Sequence, residues 1–504
     1  MPALTKLPFF LVLLGIASLS TVLPAAYGYA IGEYHDSRTF LYAGLIGLIL
    51  TAFVGLALGN RPRETTAIRQ LVALLAGFAT LPVFLAVPFH EAVRNTSFVS
   101  AYFEMVSALT TTGATLFDAA RLSGPEHLWR AQVGWFGGLL MWVSASAILA
   151  PLALGGFEVT ASGEPGQNEA QGAARGGRID PRSRLLRSAQ ELAPIYAGLT
   201  LALCIMLLMA GDPPLVALSH AMAVMSTSGI SPIGGLEGAA SGLAGEMILF
   251  CFLCFALSRL TFSGDTGQST GNGLLYDPEF RIGLAIIAVV PALMFFRHWV
   301  AAFEVGEEQN WIAGLRALWG GLFNALSFLS TTGFVSADWS TAQDWSGLST
   351  PGIFLMGLAL IGGGVATTAG GVKLLRVYVL YVNGAREIEK LVHPSSVGRS
   401  GLMMRRIRKE GAFIAWVFFM LFAVTLALVA LGLAAFGVGF EEAITLTIAA
   451  LSNTGPLIVM APSTPIDLLS FSSEAKLVMA VGMILGRLEL LAIIVIISPE
   501  IWRG

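Results

Sequence analysis

The sequence predicts an all-α polytopic membrane protein, and three observations carry that prediction. Charged residues make up 12% of the 504 and hydrophobic ones 55%, with a mean hydropathy of +0.75. A water-soluble fold of this size carries about twice that charge. Apolar runs of about 20 residues, enough to cross the hydrocarbon core, recur along the chain. Ten crossings are predicted, near 8–31, 40–59, 70–90, 131–156, 189–210, 243–260, 281–300, 351–383, 411–437 and 474–498. Between them one phrase returns four times: Thr110-Thr111-Thr112-Gly113, Ser226-Thr227-Ser228-Gly229, Ser330-Thr331-Thr332-Gly333 and Ser452-Asn453-Thr454-Gly455. Its glycines are 116, 104 and 122 residues apart.

The first run, Phe9 to Ile31, has only Lys6 before it and another span directly after it, so it reads as a retained helix. The Ala-rich stretch near Ala25 is what a cleavable signal would offer instead. With the second run it makes two leading transmembrane helices, residues 1–66. Thereafter the order span, short amphipathic stretch, Thr/Ser–Gly loop, span recurs four times. The short stretches, near 97–110, 214–226, 314–330 and 440–452, are too brief to cross. They read as re-entrant pore helices, because non-helical backbone at membrane depth is tolerated only inside protein or beside a watery cavity. The repeats occupy 67–158, 189–276, 277–383 and 411–504, and the solvated linkers 159–188 and 384–410 join them.

Lysine and arginine concentrate on cytoplasmic loops. With the N-terminus inside, the inner segments hold 20 of them and the outer segments seven, namely Arg38, Arg94, Arg121, Arg130, Arg297, Arg316 and Lys476. Lys373 and Arg487 fall within spans. All four loops then enter from the outer face, both termini are cytoplasmic, and each repeat begins and ends inside. Parallel copies of one pore unit are expected to close around a pseudo-fourfold axis.

A monovalent cation sheds its water only where several oxygens replace it at similar distance, as rings of backbone carbonyls do. Glycine gives a loop access to positive φ, so that consecutive carbonyls can face one side. The Ser, Thr and Asn residues before it can add oxygens or tie the loop down without charge. Short helices whose C-termini aim inward add partial negative charge. Asp118, Glu237, Asp338, Asp344 and Asp467 fall at the outer mouth, where they could concentrate cations or simply be solvated. One Thr-Thr-Gly alone reads as a helix-packing motif; four at matching places read as four quadrants of one filter.

Here the chain resembles a known family. Phe103-Glu-Met-Val-Ser-Ala-Leu-Thr-Thr-Thr-Gly-Ala-Thr115 is similar to the first pore loop of the TrkH/TrkG/KtrB potassium-uptake proteins, and Phe323 to Phe334 to their third. Gly362 to Arg376 resembles the broken helix after the third loop, and Gly486-Arg-Leu-Glu-Leu490 their last helix. The two leading helices favour the TrkH branch. The resemblance implies potassium uptake through one pore per subunit, with K+ held at the filter residues as transported ion and no other cofactor. It further implies a homodimer in the bacterial inner membrane and a cytosolic TrkA-type nucleotide-binding ring as regulator. The family's filter glycines carry over to Gly113, Gly229, Gly333 and Gly455, and glycine at all four favours potassium. The fourth loop departs, with Asn453 for Thr and Pro456-Leu-Ile after its glycine. A Na+- or H+-coupled symporter, or a less selective K+/Na+ channel of the same fold, is the alternative.

The segment 351–383 is too long for one plain crossing, and its run of glycines is expected to break the helix at membrane depth, since each costs a helix interior up to about 1 kcal/mol. The gating residues expected there are Gly362, Gly363, Gly364, Thr367, Thr368, Gly370, Gly371 and Lys373, with Arg487 facing them. A cation inside a span usually faces a pore or a partner. Arg487 is therefore a barrier or latch against the loop by resemblance, or a helix-fastening ion pair with Glu489 or Glu246. Lys373 is either part of the gate or snorkels to the surface.

Other chemistry finds little support. Cys251 and Cys254 form a CxxC inside an apolar run, where redox and zinc sites lack an accessible setting. Gly264 to Thr270 is faintly like a phosphate loop but lacks the lysine. Neither a metal-ligand cluster nor a nucleophile–base arrangement stands out, so an enzyme is not expected, nor is nucleic-acid binding. A solute-coupled transporter would favour inverted repeats, whereas these run in parallel.

Overall fold

The computed structural model describes residues 8–58, 67–152, 154, 156–157, 181–258, 277–302, 311–348, 350–393, 411–462 and 464–488. Among these residues all regular structure is helical.

The leading run is two collinear helices, Phe9–Ser20 and Val22–Ile31, meeting at Thr21. The cause is Pro24, which has no N–H for the carbonyl of Ser20 four residues back. That carbonyl is taken instead by Gln132 Nε2 at 2.8 Å. The bond pins the leading helices to the first repeat. The next helix, Tyr34–Leu58, packs on both and exposes Ile46, Phe53 and Leu56 on its outer side.

Each repeat has an inbound span, a pore helix and an outbound span. The inbound spans are Ala67–Val93, Pro181–Met209, Pro278–Ala302 and Gly411–Ala435. The pore helices are Phe98–Leu109, Pro214–Ser226, Trp311–Leu329 and Phe440–Leu451, and the outbound spans Gly124–Ser144, Gly242–Leu253, Gly352–Ile361 and Ser473–Leu488. Burial separates the roles. All residues from Phe103 to Thr112 and from Ser219 to Ser228 are buried, whereas Gly411–Ala435 shows Phe413, Leu428 and Leu431 to the outside. The core therefore sits around the pore helices, and the inbound spans present the apolar surface a bilayer requires.

Among the described residues eight helices are long and apolar enough to cross a membrane. Seven of them correspond to expected crossings; the eighth, Ile312–Leu329, lies in the third expected pore helix. Trp311–Leu329, at 19 residues, is thus longer than a sequence reading allows, but it ends in the same loop as its three shorter counterparts. The remaining expected crossings are short or interrupted. Gly242–Leu253 tightens into a 3-10 turn at Cys254–Leu257, Gly352–Ile361 stops at the glycine run, and the last crossing is described only to Leu488. The first outbound span starts at Gly124, seven residues before the expected 131, behind a capping box of Ser123 and Glu126. Its polar first turns hid it, because Glu126, His127 and Arg130 are buried only by tertiary packing.

Candidate functional site

All four pore helices end in one way. The amide of Thr111 donates to Ala108 O at 2.9 Å and that of Thr112 to Ser107 O at 2.8 Å, with Thr111 at φ +56°. This is a Schellman cap, in which a left-handed residue closes the helix. The same pair of bonds recurs at Thr227 and Ser228, at Thr331 and Thr332, and at Asn453 and Thr454, and all four middle residues are left-handed. The position that usually carries glycine thus carries threonine three times. A β-branched residue there stores strain of about 1–3 kcal/mol, sustained only where the surroundings over-determine it. Asparagine enters this region readily, so Asn453 is the relaxed member of the set.

The hydroxyls serve mainly as scaffolding. Thr110 and Thr112 hydroxyls bond at 2.8 Å, Ser226 and Ser228 at 3.0 Å, Ser330 and Thr332 at 3.0 Å, and Ser452 and Thr454 at 3.1 Å. The first hydroxyl of each loop also donates back to a pore-helix carbonyl, of Val106, Met222, Ser327 or Ile448. The carbonyls of Thr111, Thr227, Thr331 and Asn453 accept no hydrogen bond from the described residues.

The loops meet in cyclic order. A methyl group added to Gly113 would collide with the Ser228 carbonyl, one on Gly229 with the Thr332 carbonyl, one on Gly333 with Pro456, and one on Gly455 with Gly113 and Ala114. The Gly455 amide donates to Thr112 O at 2.6 Å and Asn453 Nδ2 to Thr112 Oγ1 at 3.0 Å, closing the ring. The helices follow the same order. Each outbound span packs on the pore helix of the next repeat, and the fourth, Ser473–Leu488, returns to Phe98–Leu109. Gly113, Gly229 and Gly333 have φ of +73°, +64° and +78°. Gly455 is not in that region, which corrects the expectation of positive φ at all four. After it Pro456 starts a helical turn, Leu457–Met460, so the fourth strand bends away.

Support comes from residues the sequence reading missed. Six residues before each loop stand Glu104, His220, Asn324 and Leu446. Glu104 accepts the Leu116 amide at 3.0 Å, His220 bonds Ser231 Oγ at 2.9 Å, and Asn324 accepts the Ser336 amide at 3.0 Å. In three repeats a buried polar side chain thus holds the strand leaving the loop, and the shared offset was the signal that could have found it. Arg130 pairs with Glu104 at 2.7 Å and is 3% exposed, so it is a buried brace and not an outer-segment charge. Glu246 accepts Ser336 Oγ and the Ala337 amide, each at 2.7 Å, and Trp319 Nε1 at 2.8 Å. It braces the third loop, which removes it as the expected partner of Arg487; Glu489 lies outside the described residues.

Beneath the third loop the helix breaks at Gly362 and resumes at Leu374. The excursion closes on itself, since the Val372 and Lys373 amides donate to Leu360 O and Ile361 O at 2.9 and 2.8 Å. Left-handed residues at Gly362, Ala366, Gly371 and Lys373 shape it. It touches every repeat. Val365 packs with Ala150 and Phe157, and the Gly364 amide donates to Ala256 O. Thr368 Oγ1 donates to Met225 O, the Val365 amide to Glu279 Oε1, and the Gly370 amide to Thr331 Oγ1 at 2.7 Å. Arg487 Nη1 donates to Thr368 O at 2.6 Å. Lys373 is buried and its Nζ donates to Ala369 O, which corrects the snorkelling alternative. Thr367 caps the loop internally through Gly364 O, while Gly363 lies against Ala256 and Gly371 against Ala359.

Of the acids expected at the outer mouth, Asp118, Glu237, Asp344 and Asp467 are exposed and Asp338 is half-buried; Asp467 caps a short turn through Leu469 N. Among the described residues no three His, Cys, Asp or Glu side chains form a metal cluster, and the three cysteines are free thiols.

A closed ring of four loops at the buried ends of four pore helices defines a membrane protein of the four-quadrant cation-transport class. The TrkH family model, described as a cation transport protein, matches residues 281–503. The TrkH potassium uptake protein of Vibrio parahaemolyticus is 30% identical over 419 residues, 81% of each chain. That of Escherichia coli K12 is 29% identical over 492 residues, covering 93% of this chain and 96% of its own. The crystal structure of the potassium transporter TrkH from V. parahaemolyticus superposes with a TM-score of 0.80 at 25% identity, covering 99% of both chains. The chain belongs to the TrkH family.

Proposed function

We propose that this protein takes up potassium across the cytoplasmic membrane through the four-loop ring, and that the 362–373 excursion gates it from below. The observation that carries the reading is the cyclic contact of the four loops, which gathers backbone oxygens from four repeats around one axis. Hydroxyls tied back into the helix ends favour the carbonyls as the cation's ligands, and the matching TrkH proteins support potassium as the ion. Thr110–Gly113, Ser226–Gly229, Ser330–Gly333 and Ser452–Gly455 are assigned to the filter, and Gly362–Lys373 with Arg487 to the gate. As described, the excursion is bonded to repeats on all sides and corresponds to a closed path.

Leu374–Val392 begins at the gate and ends in exposed turns carrying Tyr381, Ile388 and Leu391. It is suited to carry force from a cytosolic TrkA-type ring. A homodimer with cytoplasmic termini belongs to the same reading.

The test is rubidium uptake into liposomes by purified protein, with competition by potassium but not by sugars or amino acids as the expected result. Uptake competed by an organic solute overturns it. Current–voltage measurements with and without a pH gradient distinguish channel flow from proton coupling.

A further inference from the structure

Gly364 and Val365 are held by residues other than those that meet Thr368 and Gly370. Val365 is fully buried beside Ala150 and Phe157, and a methyl group on Gly156 would strike its side chain. The Gly364 amide donates to Ala256 O at 3.0 Å, and a methyl group on Gly364 would collide with Leu257 O. Two outbound spans leave α-helical geometry to build this seat. The first ends in a π-helix, Ala145–Leu149, which leads into Ala150, and the second in the 3-10 turn Cys254–Leu257. Carbonyls at a helix end need outside donors, and Ala256 O finds one in the Gly364 amide.

Glu279 completes the seat. It lies in the first turn of Pro278–Ala302, and its amide donates to Asp277 Oδ1 at 3.4 Å. Ser258 Oγ donates to Asp277 Oδ2, which ties that start to the end of the second outbound span. An acid in a first helical turn ordinarily complements the helix dipole from the surface. Glu279 is instead 3% exposed, and its Oε1 accepts the Val365 amide at 3.1 Å. A carboxylate is the stronger kind of acceptor. The turn from Val365 to Thr368 is thus gripped by an acid of the third repeat and a guanidinium of the fourth, Arg487.

We infer that Glu279 is a positioning residue of the gate, whose carboxylate keeps Val365 seated while the path is closed and releases it when the path opens. The inference rests on the gate reading above and adds to it a second anchor, distinct from Arg487.

Initial rubidium uptake is measured with the full-length protein in proteoliposomes, at equal protein load and with a size-exclusion profile for every variant. Glu279→Ala leaves the Val365 amide without its acceptor and is expected to raise uptake about tenfold, the effect of one hydrogen bond to a charged group. Glu279→Gln keeps an oxygen in place and is expected to raise uptake less than about threefold. Val365→Ala keeps the amide but thins the side chain in the seat, and uptake should rise there too. Potassium should stay preferred over sodium in all three. A merely structural Glu279 predicts a fall in uptake in Glu279→Ala, and that result overturns the inference, as does an equal rise in Glu279→Gln and Glu279→Ala. Where Glu279→Ala does not fold, the other two variants carry the test, and unchanged uptake in both overturns it. Arg487→Ala, run in parallel, separates the two readings. If it raises uptake and Glu279→Ala does not, the second anchor is wrong and the gate stands; if neither does, the gate reading falls and the anchor with it.

Discussion

Arg487→Ala is the sharpest perturbation of the gate. Among the described residues the excursion is tethered to its surroundings by neutral donors, one of them to the Glu279 carboxylate, and by the guanidinium of Arg487, whose Nη1 donates to Thr368 O at 2.6 Å. Hydrogen bonds to charged groups contribute about 1.5–3 kcal/mol each, against about 1 for neutral ones. If the bond exists only in the closed arrangement, its loss favours opening by that amount, which is roughly ten- to a hundredfold in the closed-to-open ratio. The assay is initial rubidium uptake into proteoliposomes at equal protein load, with size-exclusion profiles confirming the fold. Uptake is expected to rise by a factor within that range until filter flow limits it, with potassium still preferred over sodium. A folded variant with unchanged uptake would show that the bond is equally present when the path conducts, and the latch argument would fall.

Three further outcomes follow from the same geometry. Gly113→Ser places a side chain at φ +73° against the Ser228 carbonyl; reversal potentials in mixed gradients should show potassium selectivity over sodium falling while the protein still folds. Thr331→Val keeps the shape but strands the buried Gly370 amide, a cost of about 1–3 kcal/mol, and should raise uptake with selectivity retained in the same liposome assay. Glu104→Gln leaves Arg130 buried without its carboxylate, which typically costs about 3–5 kcal/mol. Thermal unfolding in detergent should drop markedly, and Glu104→Gln combined with Arg130→Met should recover part of the loss.

The four loops and the glycine-broken helix were legible in the sequence because both are local. Small-residue phrases and glycine runs announce themselves within ten residues. What the sequence concealed depends on neighbours far along the chain. Thr111, Thr227 and Thr331 sit in a conformation their own propensities oppose, and only the converging ring holds them there. Arg130 looks like an outer-segment charge until the chain folds it against Glu104, and Glu246 shows its role only where it meets Ser336 and Ala337 after the third loop. Asn453 looked like a weakness of the fourth quadrant; it is instead the residue that closes the ring through Thr112 and reaches Met483 O at 2.9 Å. Chain length misled in the other direction, since Trp311–Leu329 could cross a bilayer but is capped by the ring before it does.

The bonds at the root of the excursion, from Val372 to Leu360 and from Lys373 to Ile361, clasp the two half-helices to each other. A tab fastened at its base can swing without lengthening, tilting or separating the halves it hangs from. The outline that the protein presents to lipid then stays constant through the gating cycle. The opening equilibrium should accordingly be indifferent to bilayer thickness and tension, and on the proposed reading its control falls to forces delivered through the far end of Leu374–Val392.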